Sequence, residues 1–371
     1  MQVVYRAKNG ELKQLLATNK YQNAFLVRGG SSYELSGAKD FIDKNFIIKG
    51  SFFGFDVNPQ ISDLEKGIKL FKEGSYDCII AIGGGSALDM AKLISVLAHQ
   101  EIEILDILKD NKKINTKKTP VLAIPTTAGT GAEATAFSVL YVEKKKYSVA
   151  SETMLPDYVY LSSQFSLSTK QYLTACTGAD AFCQAIESAW SVGSTSESEK
   201  YAHKAIDLIW DHLKSATLEN NEDAKAKMLE ASFLAGKAIN ITKTTAPHAI
   251  SYAFTSYYGI PHGHAVSISL PHFFEFNYKV SQEDCIDKKG SEAVRKRLNK
   301  IMDLMGINNH HVKHELLTFF KSIGLNTNIS SLIDNFDPKI IIENINLERL
   351  QNNPRKISKE DVRYFLALSS H

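Results

Sequence analysis

The chain lacks most of the features that classify a protein at a glance. Its 371 residues include only four cysteines, Cys78, Cys176, Cys183 and Cys285. They form no CxxC pair and no disulfide-framework spacing, so a small cross-linked scaffold is excluded. No charge of one sign prevails: 43 basic residues face 41 acidic ones, for a net charge of +2. That balance gives no electrostatic footprint for nucleic acid. The densest basic run, Lys144-Lys145-Lys146, follows a strand pattern and reads at first as the decoration of a hairpin tip. No apolar run approaches the ~20 residues that cross a bilayer, so no membrane span is expected. The opening MQVVYRAKNGELKQLL lacks the apolar core of a signal peptide, and a cytoplasmic location is expected. Internal repeats and low-complexity segments are missing too. What remains is 44% apolar and 23% charged, an ordinary soluble composition, at a length that suggests two or three domains.

Two textures follow one another along the chain. Up to about residue 168, short β-branched runs end in turn residues and give way to helical periodicity. Ala24-Phe25-Leu26-Val27 ends at Arg28-Gly29-Gly30-Ser31-Ser32, Asp77 to Ile82 ends at Gly83-Gly84-Gly85-Ser86, and Val121 to Ile124 ends at Pro125-Thr126-Thr127-Ala128-Gly129-Thr130-Gly131. Strand, glycine-rich turn and helix in repetition predict a mainly parallel sheet covered on both faces. Phe137 to Val142 and Tyr147 to Ala150 predict an inserted hairpin before a last strand, Tyr158 to Leu161. From about residue 169 strand signals nearly vanish, and long 3.6-residue patterns take over: Leu173 to Trp190, Ser196 to Leu213, Asp223 to Ile239, Pro247 to Tyr257, and from Gly263 to Tyr278. The expectation is an α/β domain over 1–168 and an all-helical domain over 169–371.

In the first half, Gly84, Gly85 and Ser86 open a helix after a buried strand. Glycines admit close approach of an anion, and a helix N-terminus offers unpaired N–H groups. A triple glycine alone serves a pyrophosphate or a tight turn with Ser86 as N-cap equally well, and GxGxxG is not present. The second loop, with Thr126, Thr127 and Thr130, shares the sheet edge on which ligands of open parallel sheets bind, which favours a phosphate site. The first loop carries no acidic residue for a ribose 2′-hydroxyl. Arg28, Gly29, Ser31 and Ser32 instead suit a 2′-phosphate, so NADP(H) is expected over NAD(H).

In the second half, Asp180 and Gln184 lie one helical turn apart and share a face. With His248 and His262 they make a possible four-ligand set for Fe²⁺ or Zn²⁺. Taken singly, each has a bland alternative: Gln184 as an interior amide, His248 as a core histidine. The Pro261-His262-Gly263-His264 turn is harder to assign to packing alone.

GGGSALDMAK, PTTAGTGAEAT, LPDYVYL, TGADAFCQAIES and PHGHAVSISLPH, in that order, resemble the signature blocks of the iron-containing, or group III, alcohol dehydrogenase family. The resemblance covers nearly the whole chain. It implies a dehydroquinate-synthase-like fold, with a dinucleotide-binding α/β domain, a helical metal-binding domain, an active site in the cleft between them, and a homodimer. Carried over by motif, Gly84, Gly85 and Ser86 would hold the pyrophosphate, and Asp89 would lie near the nicotinamide. Thr126, Thr127 and Thr130 would contact the nucleotide. Lys146 would sit on the nicotinamide ribose, which replaces the decorative reading of the lysine run. Asp180, His248 and His262 match family metal ligands.

Two positions depart from the family. Histidine is usual where this chain has Gln184, and an amide oxygen is a weaker donor than imidazole. A histidine proton relay is common where this chain has Tyr252, whose hydroxyl ordinarily titrates near ~10; His264 or water is the alternative donor. Further blocks, CQAIESAWSVGSTSES, KTTAPHAISYAF and YGIPHGHAVSISLPHF, resemble the phosphonoacetaldehyde reductases within the family. That implies a small phosphonate-bearing aldehyde as substrate, with Lys243 and His264 as cations for its charge. A solvated helix-end lysine is the plain alternative for Lys243. Competing expectations are a general short-chain alcohol dehydrogenase, a non-redox NAD-using lyase or cyclase of the same superfamily, and a non-catalytic relic.

Overall fold

The structure, a computed structural model, describes residues 2–18, 21–110, 114–143, 145–308 and 311–369. It divides into two compact units, residues 1–169 and 170–371.

The first unit is built on a six-stranded sheet in the order β1-β8-β5-β4-β2-β3. Its strands are β1 (Val3–Arg6), β2 (Ala24–Arg28), β3 (Ile48–Phe52), β4 (Cys78–Gly83), β5 (Val121–Pro125) and β8 (Tyr158–Leu161), and all their pairings are parallel. Successive side chains of a strand point to opposite faces, and here both faces are buried. Phe25, Val27, Ile79, Ala81, Val121 and Ala123 enter one core, while Ala24, Leu26, Cys78, Ile80, Ile82, Leu122 and Ile124 enter the other. Continuous apolar runs rather than alternation are what a sheet covered on both sides requires. The expected hairpin is present: β6 (Phe137–Val142) pairs antiparallel with β7 (Lys145–Ala150).

Glycines bring the loops after β2, β4 and β5 together. A Cβ on Gly83 would stand 3.1 Å from Gly29 N and 2.7 Å from the Ala87 methyl, and one on Gly85 would stand 2.7 Å from the Thr130 side chain. Helix α1 (Gly85–Leu97) starts two residues earlier than a Ser86 cap would place it. Gly84 is the N-cap and offers no side chain, so the first N–H groups of α1 stay uncapped. Ser86 instead donates its hydroxyl to Val57 O.

Every regular element described in the second unit is helical. Its core helices are α2 (Gln171–Trp190), α3 (Ser196–Leu218), α4 (Glu222–Thr242), α5 (Ala246–Tyr258) and α6 (His262–Tyr278). Helix α3 opens on a capping box between Thr195 and Ser198. Helix α5 takes Pro247 in its first turn, where a missing N–H costs nothing. Among the described residues, no helix is long and apolar enough to cross a membrane.

Candidate metal centre and nucleotide site

Helix α2 is buried along most of its length, so the polar residues in its middle require partners. Asp180, Gln184 and Glu187 follow at helical spacing and are 3%, 4% and 0% exposed. Asp180 meets two histidines from other helices. His248 Nε2 lies 3.2 Å from Asp180 Oδ1 and His262 Nε2 3.8 Å from the same oxygen. The ligating atoms of Asp180, His248 and His262 all fall within 4.8 Å of one another. An ion bonded at about 2.1 Å to tetrahedral donors spaces them about 3.4 Å apart, so the observed separations suit a single cation.

Gln184 lies against Asp180, one helical turn further along α2. Its Nε2 donates to Asp180 Oδ2 at 3.1 Å. A carboxylate only accepts, so the amide nitrogen must take that side. Gln184 Oε1 is left buried without a hydrogen-bond partner. A buried, orphaned amide oxygen on the side chain that pairs with Asp180 is a donor that a divalent cation would satisfy.

Gly263 makes this convergence sterically possible. A Cβ there would fall 1.8 Å from Cys176 O and 2.9 Å from the Asp180 Cβ. Only glycine lets the first turn of α6 press against α2 and carry His262 to Asp180. Tyr252, one turn after His248 on α5, stacks on His262 with ring centroids 5.5 Å apart and planes 11° from parallel.

Burial alone would lower the His248 pKa, but Glu187 and Asp180 outweigh it and hold the imidazole up at about 10. Metal-free, His248 is therefore a charged link between two carboxylates. Glu187 received no role from the sequence, although it stands within the quoted TGADAFCQAIES block. The readable signal was a carboxylate in an otherwise small and apolar helix, seven residues after Asp180.

His264 is placed differently from the expectation. Nε2 lies 2.6 Å from Asn326 O and so must carry the proton, and Nδ1 accepts from the Tyr172 hydroxyl at 2.9 Å. Burial lowers its pKa. A neutral imidazole with both nitrogens engaged is unsuited to holding an anionic substrate. Lys243 is the C-cap of α4 with φ 63° and ψ 179°, a backbone region that is essentially glycine's own. Its neighbours clamp it there: Asn352 Nδ2 donates to Thr242 O at 2.6 Å and Thr244 O at 3.0 Å.

In the first unit Gly29, Gly84, Gly85, Thr127 and Thr130 come together where the three loops approach one another. Arg28 lies between two rings, 3.7 Å from the Phe53 centroid and 4.6 Å from that of Tyr33. It also donates to Gly29 O. Ser31 and Ser32 begin the short helix that follows. Asp89 is already engaged, pairing with Lys92 Nζ at 2.9 Å and accepting from Val139 N at 2.9 Å. Lys92, unassigned by the sequence, is fully buried and donates to the carbonyls of Ala132, Thr135 and Phe137. It thereby ties the threonine loop to α1. Lys146 sits on β7 opposite Tyr141, and Lys144 lies outside the described residues.

A parallel-sheet unit with converging glycine loops, followed by a helical unit with a carboxylate–amide–dihistidine set, defines a metal-dependent, dinucleotide-using oxidoreductase. Residues 3–163 match the family described as Iron-containing alcohol dehydrogenase, and residues 174–369 match Fe-containing alcohol dehydrogenase family, C-terminal. The chain belongs to the iron-containing alcohol dehydrogenase family. Among its relatives, an NADPH-dependent butanol dehydrogenase of Clostridium saccharobutylicum is 33% identical over 288 residues, 76% of this chain and 74% of that protein. A phosphonoacetaldehyde reductase of Streptomyces viridochromogenes is 30% identical over 296 residues, 77% of this chain and 74% of that protein. Among solved structures, sulfoacetaldehyde reductase from Bifidobacterium kashiwanohense, in complex with NAD⁺, superposes with a TM-score of 0.84 at 27% identity, covering 100% of this chain and 97% of that one.

Proposed function

We propose that this protein reduces a short aldehyde bearing an anionic group, phosphonoacetaldehyde in the first instance, to the primary alcohol at the expense of NADPH. The observation that carries the redox reading is the buried set of Asp180, His248 and His262 with the partnerless oxygen of Gln184. A divalent cation held there would polarise the carbonyl, and the reduced nicotinamide would supply the hydride. Tyr252, held against His262, would donate the proton that the new hydroxyl needs.

Substrate charge is the finer part of the reading. Lys243 stands five residues before His248 in a strained backbone state, and strain of that kind collects where function demands it. Two of the relatives, the phosphonoacetaldehyde and sulfoacetaldehyde reductases, are named for two-carbon aldehydes with an anionic group, which supports the same choice. The butanol dehydrogenase supports the rival, an uncharged aldehyde. For the cofactor, Arg28, Ser31 and Ser32, in a loop that itself carries no acidic residue, favour the 2′-phosphate of NADPH.

The test is an aldehyde panel with NADH and NADPH on protein of measured metal content. Phosphonoacetaldehyde with NADPH should give the highest kcat/KM. Equal or better turnover of butanal would overturn the substrate, and a preference for NADH would overturn the cofactor.

A further inference from the structure

We infer that Glu187 is the positioning residue of the metal centre: it fixes the His248 imidazole in the tautomer and orientation that leave Nε2 for the cation. The inference rests on the metal-binding reading above. Glu187 is fully buried, and its two oxygens collect donors from one short segment. Oε1 meets His248 Nδ1. Oε2 accepts from Thr245 N at 2.7 Å, Thr245 Oγ1 at 2.9 Å and His248 N at 3.4 Å.

The proton directions in this network are forced. An indole nitrogen only donates, so Trp190 Nε1, 2.8 Å from Thr245 Oγ1, must give its proton to that hydroxyl. The threonine hydroxyl then has its own proton free for Glu187 Oε2. With Oε2 saturated by donors, Oε1 is the acceptor for His248 Nδ1–H. With the Nε2 proton given up, as ligation requires, the imidazole keeps its Nδ1–H and presents a lone pair at Nε2, on the side where Asp180 Oδ1 lies 3.2 Å away. A carboxylate that orients a ligating histidine in this way also raises its basicity.

The network explains why this position needs a carboxylate. An amide of the same shape has one acceptor atom for donors arriving at two. If its oxygen serves Thr245, its NH₂ faces His248 and moves the imidazole proton to Nε2, where it blocks the cation. If its oxygen serves His248, its NH₂ is set against the Thr245 N–H and hydroxyl.

The test compares wild-type protein with Glu187→Gln, stripped of metal and titrated with Co²⁺ against a competing chelator. The readouts are the dissociation constant, the visible absorption of bound Co²⁺ and the thermal melting of the metal-free forms. Glu187→Gln should weaken Co²⁺ binding by about 10- to 100-fold and shift the absorption bands. Equal affinity and an unchanged spectrum would overturn the inference while leaving the metal reading intact. Failure of the wild type to bind any divalent ion would overturn the metal reading, and this inference with it. Should Glu187→Gln not fold, the wild type decides alone. In Zn²⁺-loaded protein labelled with ¹⁵N-histidine, His248 should show a protonated Nδ1 and a metal-bound Nε2, and the reverse assignment overturns the inference.

Discussion

The two units build their sites from opposite materials. In the sheet unit the proposed ligand surface is mostly backbone: uncapped N–H groups of α1 and loops that touch at Gly83 and Gly85. In the helical unit it is side chains: a carboxylate, an amide and two imidazoles carried by three helices. A backbone site distributes its hold over many weak donors, whereas a side-chain site concentrates it in a few strong ones. Substitutions should therefore act in a graded way in the first unit and nearly all-or-none in the second.

The sharpest test of that contrast is removal of a ligand. Asp180→Ala or His262→Ala should abolish stoichiometric metal binding and lower aldehyde reduction by about 10³-fold or more, because Lewis-acid stabilisation is worth several kcal/mol. Metal analysis and kcat measured side by side check it. Retention of full activity by a metal-free variant would end the metal role.

Gly263 tests whether the second unit is purely a side-chain affair. Gly263→Ala puts a methyl into the Cys176 carbonyl, a backbone atom that cannot swing aside. Destabilisation of about 3 kcal/mol, at the upper end for overpacking, should accompany weaker metal binding as α6 moves off α2. A melt showing loss of stability with undiminished metal affinity would mean that His262 reaches the ion independently of this contact.

The same contrast governs what the sequence made legible. Strands buried on both faces, such as Cys78–Gly83 and Val121–Pro125, read as unbroken apolar runs and were placed within a residue or two. The edge strands Val3–Arg6 and Ile48–Phe52 were not singled out, since they are short, half-exposed and, in the latter, interrupted by Lys49 and Gly50. The proposed metal ligands were recognisable because histidines and a carboxylate clustered in a few motifs. Glu187 and Lys92 were not, because their partners are mainly backbone groups and hydroxyls 40 or more residues away, which periodicity does not register. The role of Gly263 was equally hidden, being set by the distance between two helices.

Glu133 adds a pH dimension to the sheet unit. Burial, partly offset by its own backbone hydrogen bond and by Lys92, raises its pKa to about 7. Its Oε1 has no hydrogen-bond partner. Because the folded pKa lies above the unfolded value, the stabilising contribution is full below about pH 4.5 and is lost as pH rises through 7. Glu133→Gln should remove that loss and be more stable than wild type by about 2–3 kcal/mol at pH 9, the advantage vanishing near pH 4.5. Denaturant unfolding at the two pH values measures it. A pH-independent difference would show that Glu133 does not titrate in this range.

The smallest effect carries the finest distinction, between strain tolerated and strain used. At Lys243 the backbone φ of 63° penalises any side chain, yet glycine would sit there without strain. Lys243→Gly should therefore raise stability by about 1 kcal/mol, even after the extra entropy of a glycine in the unfolded chain. If the ammonium holds the anionic end of the substrate, the same variant should raise KM for phosphonoacetaldehyde by about 10-fold, one charge-assisted contact, and leave KM for butanal unchanged. A residue kept only by accident of packing would give the stability gain without the discrimination. Gain and discrimination together would mean that the helical unit gives up stability to hold a cation five residues from its ligand histidine.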